Sequence, residues 1–140
     1  QRSEYRRYGA EGLGRISDTA YTTLLAKKFL MEKDGSVKLA LSFALYRMGR
    51  EEYMVELVKE VKGDQARLYL LELPTEEISK LYPYVRSEDN GRKAALLKII
   101  GLRGEQSALG FIRDYVNYED AEVASAANLA TRYLNSRFSS

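Results

Sequence analysis

The chain contains no cysteine, no histidine and no tryptophan, and only two of its 140 residues are proline. Without cysteine it has no disulfides, no thiolate nucleophiles and no thiolate metal ligands. Without histidine it also lacks the commonest general base and metal ligand. These absences exclude most hydrolytic chemistry, so we expect a protein that is not an enzyme, with no catalytic residue, no metal site and no cofactor.

The chain is also short of long apolar runs and of excess charge. No apolar run approaches the roughly 18 residues that a membrane-spanning helix needs, so we expect no membrane insertion. The 22 basic and 20 acidic residues leave a net charge of +2, too small for a strong field that attracts polyanions. Because the chain begins at Gln1 without a methionine, we expect a piece of a longer protein or a processed form. The sequence leaves the compartment open: cytoplasmic, or periplasmic if Gln1 is a processed start.

Two stretches of the chain follow one pattern. Residues 34–49, DGSVKLALSFALYRMG, and residues 89–104, DNGRKAALLKIIGLRG, both begin with Asp, carry Lys four residues later and end on Gly. The apolar residues of the first stretch recur with the spacing of one helix face. Asp34 is placed to cap the first turn of this helix and Gly49 to end it. Each stretch therefore predicts a capped amphipathic helix.

The same pattern returns in weaker form twice more. The four aspartates that open these stretches, Asp34, Asp64, Asp89 and Asp120, are separated by 30, 25 and 31 residues. This period predicts one helix pair per unit. We predict a repeat domain over residues 17–140 with units at 17–49, 50–74, 75–104 and 105–137. Because proline interrupts a helix, Pro74 is expected to shorten the second unit, and Pro83 to distort or end the helix that begins near Thr75.

The repeated pattern is similar to the second helix of HEAT repeats, particularly the short repeats of phycobilin-lyase-like proteins. It has an Asp in the turn, a Val three residues on, then a basic residue and an alanine-rich apolar stretch that ends on Gly. The residues that carry the resemblance are Asp34, Val37, Lys38, Ala40, Leu45 and Gly49, with Asp89, Lys93, Ala94, Ala95 and Gly104. It implies an all-α fold, a right-handed α-solenoid of about four HEAT-like helix pairs with an N-terminal extension.

Two motifs invite a ligand-binding interpretation that we do not favour. We interpret the four aspartates as helix caps, because neighbouring repeats would hold them roughly 8 to 10 Å apart, too far to share a cation. Residues 1–16 do not fit the repeat and are expected to form an N-terminal arm or a partial capping helix. GAEGLG within them lacks the strand and the Lys-Ser/Thr ending of a phosphate loop, so we expect a flexible lead-in to the first repeat.

The expected function is a non-enzymatic protein–protein interaction or scaffold module, because each repeat adds surface and none adds a reactive group. Second helices line the concave side of HEAT-like stacks, so the resemblance implies contact residues Phe43, Tyr46, Arg47, Lys98, Arg132 and Tyr133. The rival interpretation is packing between repeats. The arm adds Tyr5, Arg6, Arg7 and Tyr8, which are of the types enriched at interfaces and which could equally pack on the chain's own body.

Other partners stay open. The partner is expected to be another protein or a further part of the same longer protein, and the alanine-rich last helix would also suit self-association. The alternative is nucleic-acid binding by the Arg-rich arm and the basic cluster of residues 92–103, which contains Arg92, Lys93, Lys98 and Arg103. The net charge of successive units alternates between +2 and −2, which argues against a continuous basic stripe. A lyase-like or chaperone activity on a tetrapyrrole protein is a further possibility, which only the resemblance to phycobilin-lyase-like repeats implies.

Overall fold

The computed structural model describes residues 2–139, and this part of the chain is helical without strands. Its α-helices are α1 (Ser3–Ile16), α2 (Thr22–Met31), α3 (Gly35–Arg47), α4 (Met54–Lys59), α5 (Asp64–Leu71), α6 (Tyr82–Ser87), α7 (Asn90–Arg103), α8 (Ala108–Ile112) and α9 (Ala121–Phe138). Short 3-10 helices lie at Thr19–Tyr21, Glu51–Tyr53, Thr75–Leu81 and Arg113–Tyr115. The all-α prediction is confirmed.

The predicted first helices of the repeats are each built from an α-helix and a 3-10 helix joined end to end. Pro83 shows why in one case. It lies in the first turn of α6, where its missing N–H would have no helical partner, and the residues before it form the 3-10 helix that ends at Leu81. The 3-10 helix that begins at Thr75 thus ends just before Pro83, as expected, and Pro83 lies in the first turn of the helix that follows.

The aspartates at the starts of the second helices act mainly as caps. The carboxylates of Asp34, Asp89 and Asp120 each accept a hydrogen bond from the backbone N–H three residues later, at 3.0, 2.9 and 3.1 Å. Asp64 does not follow this rule, because Gly63 takes the N-cap position and Asp64 is the first residue of α5. Capping is confirmed for three of the four aspartates and corrected for Asp64.

The chain divides into two compact units, residues 1–60 and residues 61–140. In unit 1, α3 packs against α1, α2 and α4. Every residue of α3 from Ala40 to Tyr46 is buried, because helices cover it on several sides. The core of unit 1 is therefore centred on α3.

The predicted arm is the helix α1, which packs along α3. The three glycines of GAEGLG all lie within α1, so the expectation of a flexible lead-in is corrected. At Gly14 a Cβ atom would stand 2.8 Å from the Cα atom of Ala44, so the absence of a side chain lets the two helices approach closely. This packing outweighs the low helix propensity of glycine.

Unit 2 contains a similar close contact between α7 and α9. A Cβ atom on Gly101 would stand 2.5 Å from the Cα atom of Ala130. The 3-10 helix Thr75–Leu81 and α6 also pack on α7. Lys93 of α7 is buried, and its Nζ atom donates to the carbonyl oxygens of Val85 and Arg86 at 2.7 and 3.0 Å. A buried ammonium group thus satisfies carbonyls at the C-terminal end of α6.

Candidate functional site

A groove of about 810 Å³ opens in unit 1 between α1 and α2. The buried side chains of Val37 and Leu41 on α3 form its floor. Grooves of this size that are lined mainly by apolar residues are the usual form of binding sites in proteins. The groove is therefore the candidate functional site of unit 1.

The side of the groove formed by α1 contains two small residues. Gly9 and Ala10 line it together with Tyr5, Arg6 and Leu13. Apart from Gly9 itself, its chain neighbours and the nearby backbone of α1, no atom lies within 4 Å of the position that a Cβ atom of Gly9 would occupy, so the space beside Gly9 is open. The helical pattern of α1 thus presents a shallow apolar surface to the groove.

One ion pair ties the α1 wall to the end of α2. The guanidinium group of Arg6 donates two hydrogen bonds to the carboxylate of Glu32, with Nε–Oε1 and Nη2–Oε2 distances of 3.0 and 3.1 Å. Glu32 also accepts a hydrogen bond from the backbone N–H of Asp34 at 3.0 Å. The pKa of Glu32 is lowered, mainly by the hydrogen bond from Arg6 and next by the hydrogen bond from the backbone of Asp34. Glu32 is therefore held in its charged form at neutral pH.

The wall formed by α2 combines exposed apolar residues with lysines. Leu24 and Met31 line the groove while keeping 48% and 79% of their surface exposed. Lys27, Lys28 and Lys33 lie on the same side and are exposed. Leu24, Lys28 and Met31 are spaced as i, i+4 and i+7, so they share one helix face. This second stripe of α2 is the sequence signal that our prediction of site residues missed.

The four site residues predicted on α1 have different environments. Tyr5 and Arg6 line the groove. Arg7 donates to the carboxylate of Glu11 at 2.9 Å and to the hydroxyl of Ser36. Tyr8 is exposed outside the groove lining. The structure thus brings two of the four residues into the groove.

The contact role predicted for Phe43 and Tyr46 is corrected. Their side chains are 0% and 5% exposed, so both belong to the core of unit 1. For Phe43 the reason is α1, which covers this side of α3: the Arg15 guanidinium lies 5.8 Å from the centre of the Phe43 ring, and Gly14 approaches the same ring. The rival interpretation, internal packing, describes these two residues.

The other predicted contact residues keep some exposure. Arg47 is half-buried near the end of α3 in unit 1. In unit 2, Lys98 on α7 and Arg132 on α9 are exposed, and Tyr133 is half-buried. Their role on a concave surface stays a prediction.

The basic cluster of residues 92–103 is largely engaged within unit 2. Arg92 forms ion pairs with Glu88 and Asp89. The ammonium group of Lys93 is buried on the carbonyls of α6, and Arg103 donates to the carbonyl oxygen of Leu73 at 3.1 Å. Of the four cations of the cluster, Lys98 alone is classed as exposed. The cluster therefore offers less free positive charge than its sequence indicates.

Unit 2 uses several of its tyrosines to close the space between α6 and α8. The rings of Tyr82 and Phe111 stack with centres 4.0 Å apart, and the guanidinium of Arg86 lies 5.2 Å from the centre of the Phe111 ring. Tyr115 packs on Phe111 at 5.4 Å. Burial raises the pKa of Tyr82 and of Tyr115. These tyrosines serve internal packing.

The groove of unit 1 can bury apolar surface and attract negative charge. Between residues 2 and 139, no cluster of three or more carboxylate, histidine or cysteine side chains is placed to hold a metal ion. None of the helices in this range is long and apolar enough to cross a bilayer. Comparisons of the chain with family models, with curated proteins and with solved structures find no match, so function is argued from the groove itself.

Proposed function

We propose that the chain is a non-enzymatic protein-binding or scaffold module whose partner occupies the groove between α1 and α2. The observation that carries this proposal is the exposure of Leu24 and Met31 in a concave surface with an apolar floor. Removing apolar surface from water is favourable by roughly 25 cal/mol per Å². A contiguous apolar surface bordered by charged residues is typical of a protein interface.

We also propose that the helices form a right-handed α-solenoid of four HEAT-like pairs, with α1 as its N-terminal extension. Two observations support this. Gly14 follows the N-cap residue of α1 by the same number of residues as Gly101 follows Asp89, and each glycine packs closely on an alanine. These alanines, Ala44 and Ala130, each lie ten residues after a capping aspartate.

Arg47 in unit 1, and Lys98, Arg132 and Tyr133 in unit 2, remain part of the proposal as further contact residues. Arginine and tyrosine, the types of three of these four residues, are enriched at interface hot spots. Their partner would be another protein or a further part of a longer protein that contains this chain.

The test compares the chain with two variants in a pull-down from a native extract. Met31 and its neighbour Leu30 are about equally exposed, at 79% and 80%, but only Met31 lines the groove. We expect Met31→Glu to lose the bound protein, because it places a charge against an apolar contact, and Leu30→Glu to retain it. Circular dichroism of each variant checks that the fold persists.

The proposal would be contradicted by a bound protein that both variants retain, since the contact would then lie outside the groove. Recovery of nucleic acid alone, removable by moderate salt, would instead support the basic-patch alternative.

A further inference from the structure

The groove of unit 1 has a filled counterpart in unit 2. In unit 1, α1 and α2 both pack on α3; in unit 2, α7 and α8 both pack on α9. The close Gly–Ala contacts, α1 with α3 and α7 with α9, fix the correspondence of the helices. The space beside α7 and α8 is occupied by residues 75–87, whereas the space beside α1 and α2 is the groove.

Residues 75–87 show what kind of segment fills this space. They form a 3-10 helix continued by α6, and their buried side chains Ile78, Leu81 and Val85 recur on one helix face. Tyr82 contacts α8 by stacking on Phe111, and the C-terminal carbonyls of α6 accept hydrogen bonds from Lys93 of α7. The occupant is thus an amphipathic helix that uses both neighbouring helices.

The positions that contact this segment in unit 2 correspond to groove residues in unit 1. Phe111 precedes Asp120 by nine residues, and Leu25 precedes Asp34 by the same number. Lys93 follows the N-cap of α7 by four residues, and Arg6 follows the N-cap of α1 by four. Leu25 and Arg6 both line the groove. Two positions that contact the helical segment in unit 2 therefore correspond to residues that line the groove in unit 1.

We propose that this groove binds an amphipathic α-helix of another protein, with acidic residues beside its apolar stripe, in the place that residues 75–87 occupy in unit 2. This rests on the proposed function and names the class of partner. The apolar stripe would cover Leu24, Met31 and the floor, as amphipathic helices do in hydrophobic grooves. The acidic flank follows from the lysines of α2.

The charged residues along the edge of the groove indicate which charge the partner helix carries beside its apolar stripe. Lys27, Lys28 and Lys33 are exposed along the α2 side, whereas the one acidic residue of the lining, Glu32, is already paired with Arg6. A helix that carries lysine beside its apolar stripe would meet like charges, and a helix that carries glutamate would meet opposite ones. Such complementarity selects among partners more than it adds affinity.

The experiment uses two synthetic peptides with one shared apolar stripe. Each is about 16 residues long, because shorter peptides barely form helices in water. Apolar residues recur on one face with the spacing of Ile78, Leu81 and Val85, and the flanking positions are all Glu in one peptide and all Lys in the other. Fluorescence anisotropy measures binding of each labelled peptide to the full chain at low and at physiological salt.

We expect the Glu-flanked peptide to bind about tenfold more tightly than the Lys-flanked peptide at low salt, with a smaller ratio at physiological salt. Met31→Glu should weaken both peptides, and Leu30→Glu should leave both unchanged. The double substitution Lys27→Glu with Lys28→Glu should reverse the preference between the peptides. Its residues are exposed, so folding is expected to persist.

Three results would overturn the inference. Equal binding of the two peptides would show that the groove does not select acidic residues beside the apolar stripe of its partner. Failure of both peptides, while Met31→Glu still abolishes capture of a protein from extract, would leave the proposed function standing without a helical partner. A dimer of the chain that dissociates in Met31→Glu, detected by light scattering, would assign the groove to a second copy.

Discussion

Individual charged side chains hold α1 against its neighbours in unit 1. Arg6 reaches the carboxylate of Glu32 beyond the end of α2, and Arg7 reaches the hydroxyl of Ser36 on α3. Both contacts lie at or near the groove. The arginines of the predicted arm are therefore structural groups of unit 1, which limits their use for an external phosphate or carboxylate.

The Arg6–Glu32 pair predicts a pH dependence of stability. The lowered pKa of Glu32 lies below its usual 4.5, so the pair stabilises the fold above pH 4.5 and this contribution is lost as the pH falls through the lowered value. Glu32→Gln keeps an acceptor for the N–H groups of Lys33 and Asp34 but removes the charge. We expect the variant to unfold at lower urea concentration than the wild type at pH 7, and the two to converge under acidic conditions.

Urea unfolding followed by circular dichroism at a series of pH values measures this difference. Glu60→Gln serves as the control, because Glu60 is an exposed carboxylate of unit 1. A gap between wild type and Glu32→Gln that persists unchanged at low pH would show that the charge of Glu32 does not stabilise the fold.

Local spacing predicts the residues whose role is local. Asp34, Asp89 and Asp120 could be recognised as caps because a cap and its N–H lie three residues apart in the sequence. Phe43 could not be recognised as buried, since its burial depends on α1, which contacts it from far away along the chain. The groove residues Leu24 and Met31 were missed for the same reason: their exposure depends on what lies beside α2.

Among the helices, α1 is the one whose structure the sequence argued against. Three glycines lower its intrinsic helix propensity by roughly 1 kcal/mol each relative to alanine. The structure gives Gly14 a packing role, because Ala44 stands where its side chain would be, whereas Gly12 faces open space. Tertiary packing thus requires only one of these two glycines.

Alanine substitutions at these two positions should therefore have opposite effects. Gly14→Ala places a Cβ atom 2.8 Å from the Ala44 Cα atom, and we expect a loss of about 1 to 3 kcal/mol in the free energy of unfolding. Gly12→Ala meets no atom within 4 Å and should stabilise the chain by about 0.5 to 1 kcal/mol through helix propensity. Chemical denaturation measures both, and stabilisation by Gly14→Ala would contradict the close packing of α1 on α3.

At the scale of the whole molecule, helical periodicity was sufficient to predict an all-α fold. It was insufficient to predict the groove, because a groove depends on which helices lie beside one another, and the local spacing of apolar residues does not contain that information. The charge pattern was also incomplete evidence. The sequence shows four cations at 92–103, and the structure engages Lys93 and Arg103 with backbone carbonyls.

This distribution of charge predicts weak binding to nucleic acid. Each phosphate that a protein neutralises adds about 0.9 to the slope of log K against log salt. With Arg92, Lys93 and Arg103 engaged within unit 2, the 92–103 cluster presents mainly Lys98, so we expect a slope below about 2 for duplex DNA. Fluorescence anisotropy of a labelled duplex, with the salt raised from roughly 50 to 200 mM, measures it.

Two substitutions locate any binding that is observed. Lys98→Glu removes the exposed cation of the cluster, and Lys28→Glu removes one at the groove. We expect both to leave weak DNA binding nearly unchanged while Lys28→Glu weakens the Glu-flanked peptide, because the groove lysines act on a helix and not on a phosphate backbone. A steep salt dependence that collapses in Lys98→Glu would instead make the 92–103 cluster a nucleic-acid surface, since only a cation in contact with phosphate has that effect.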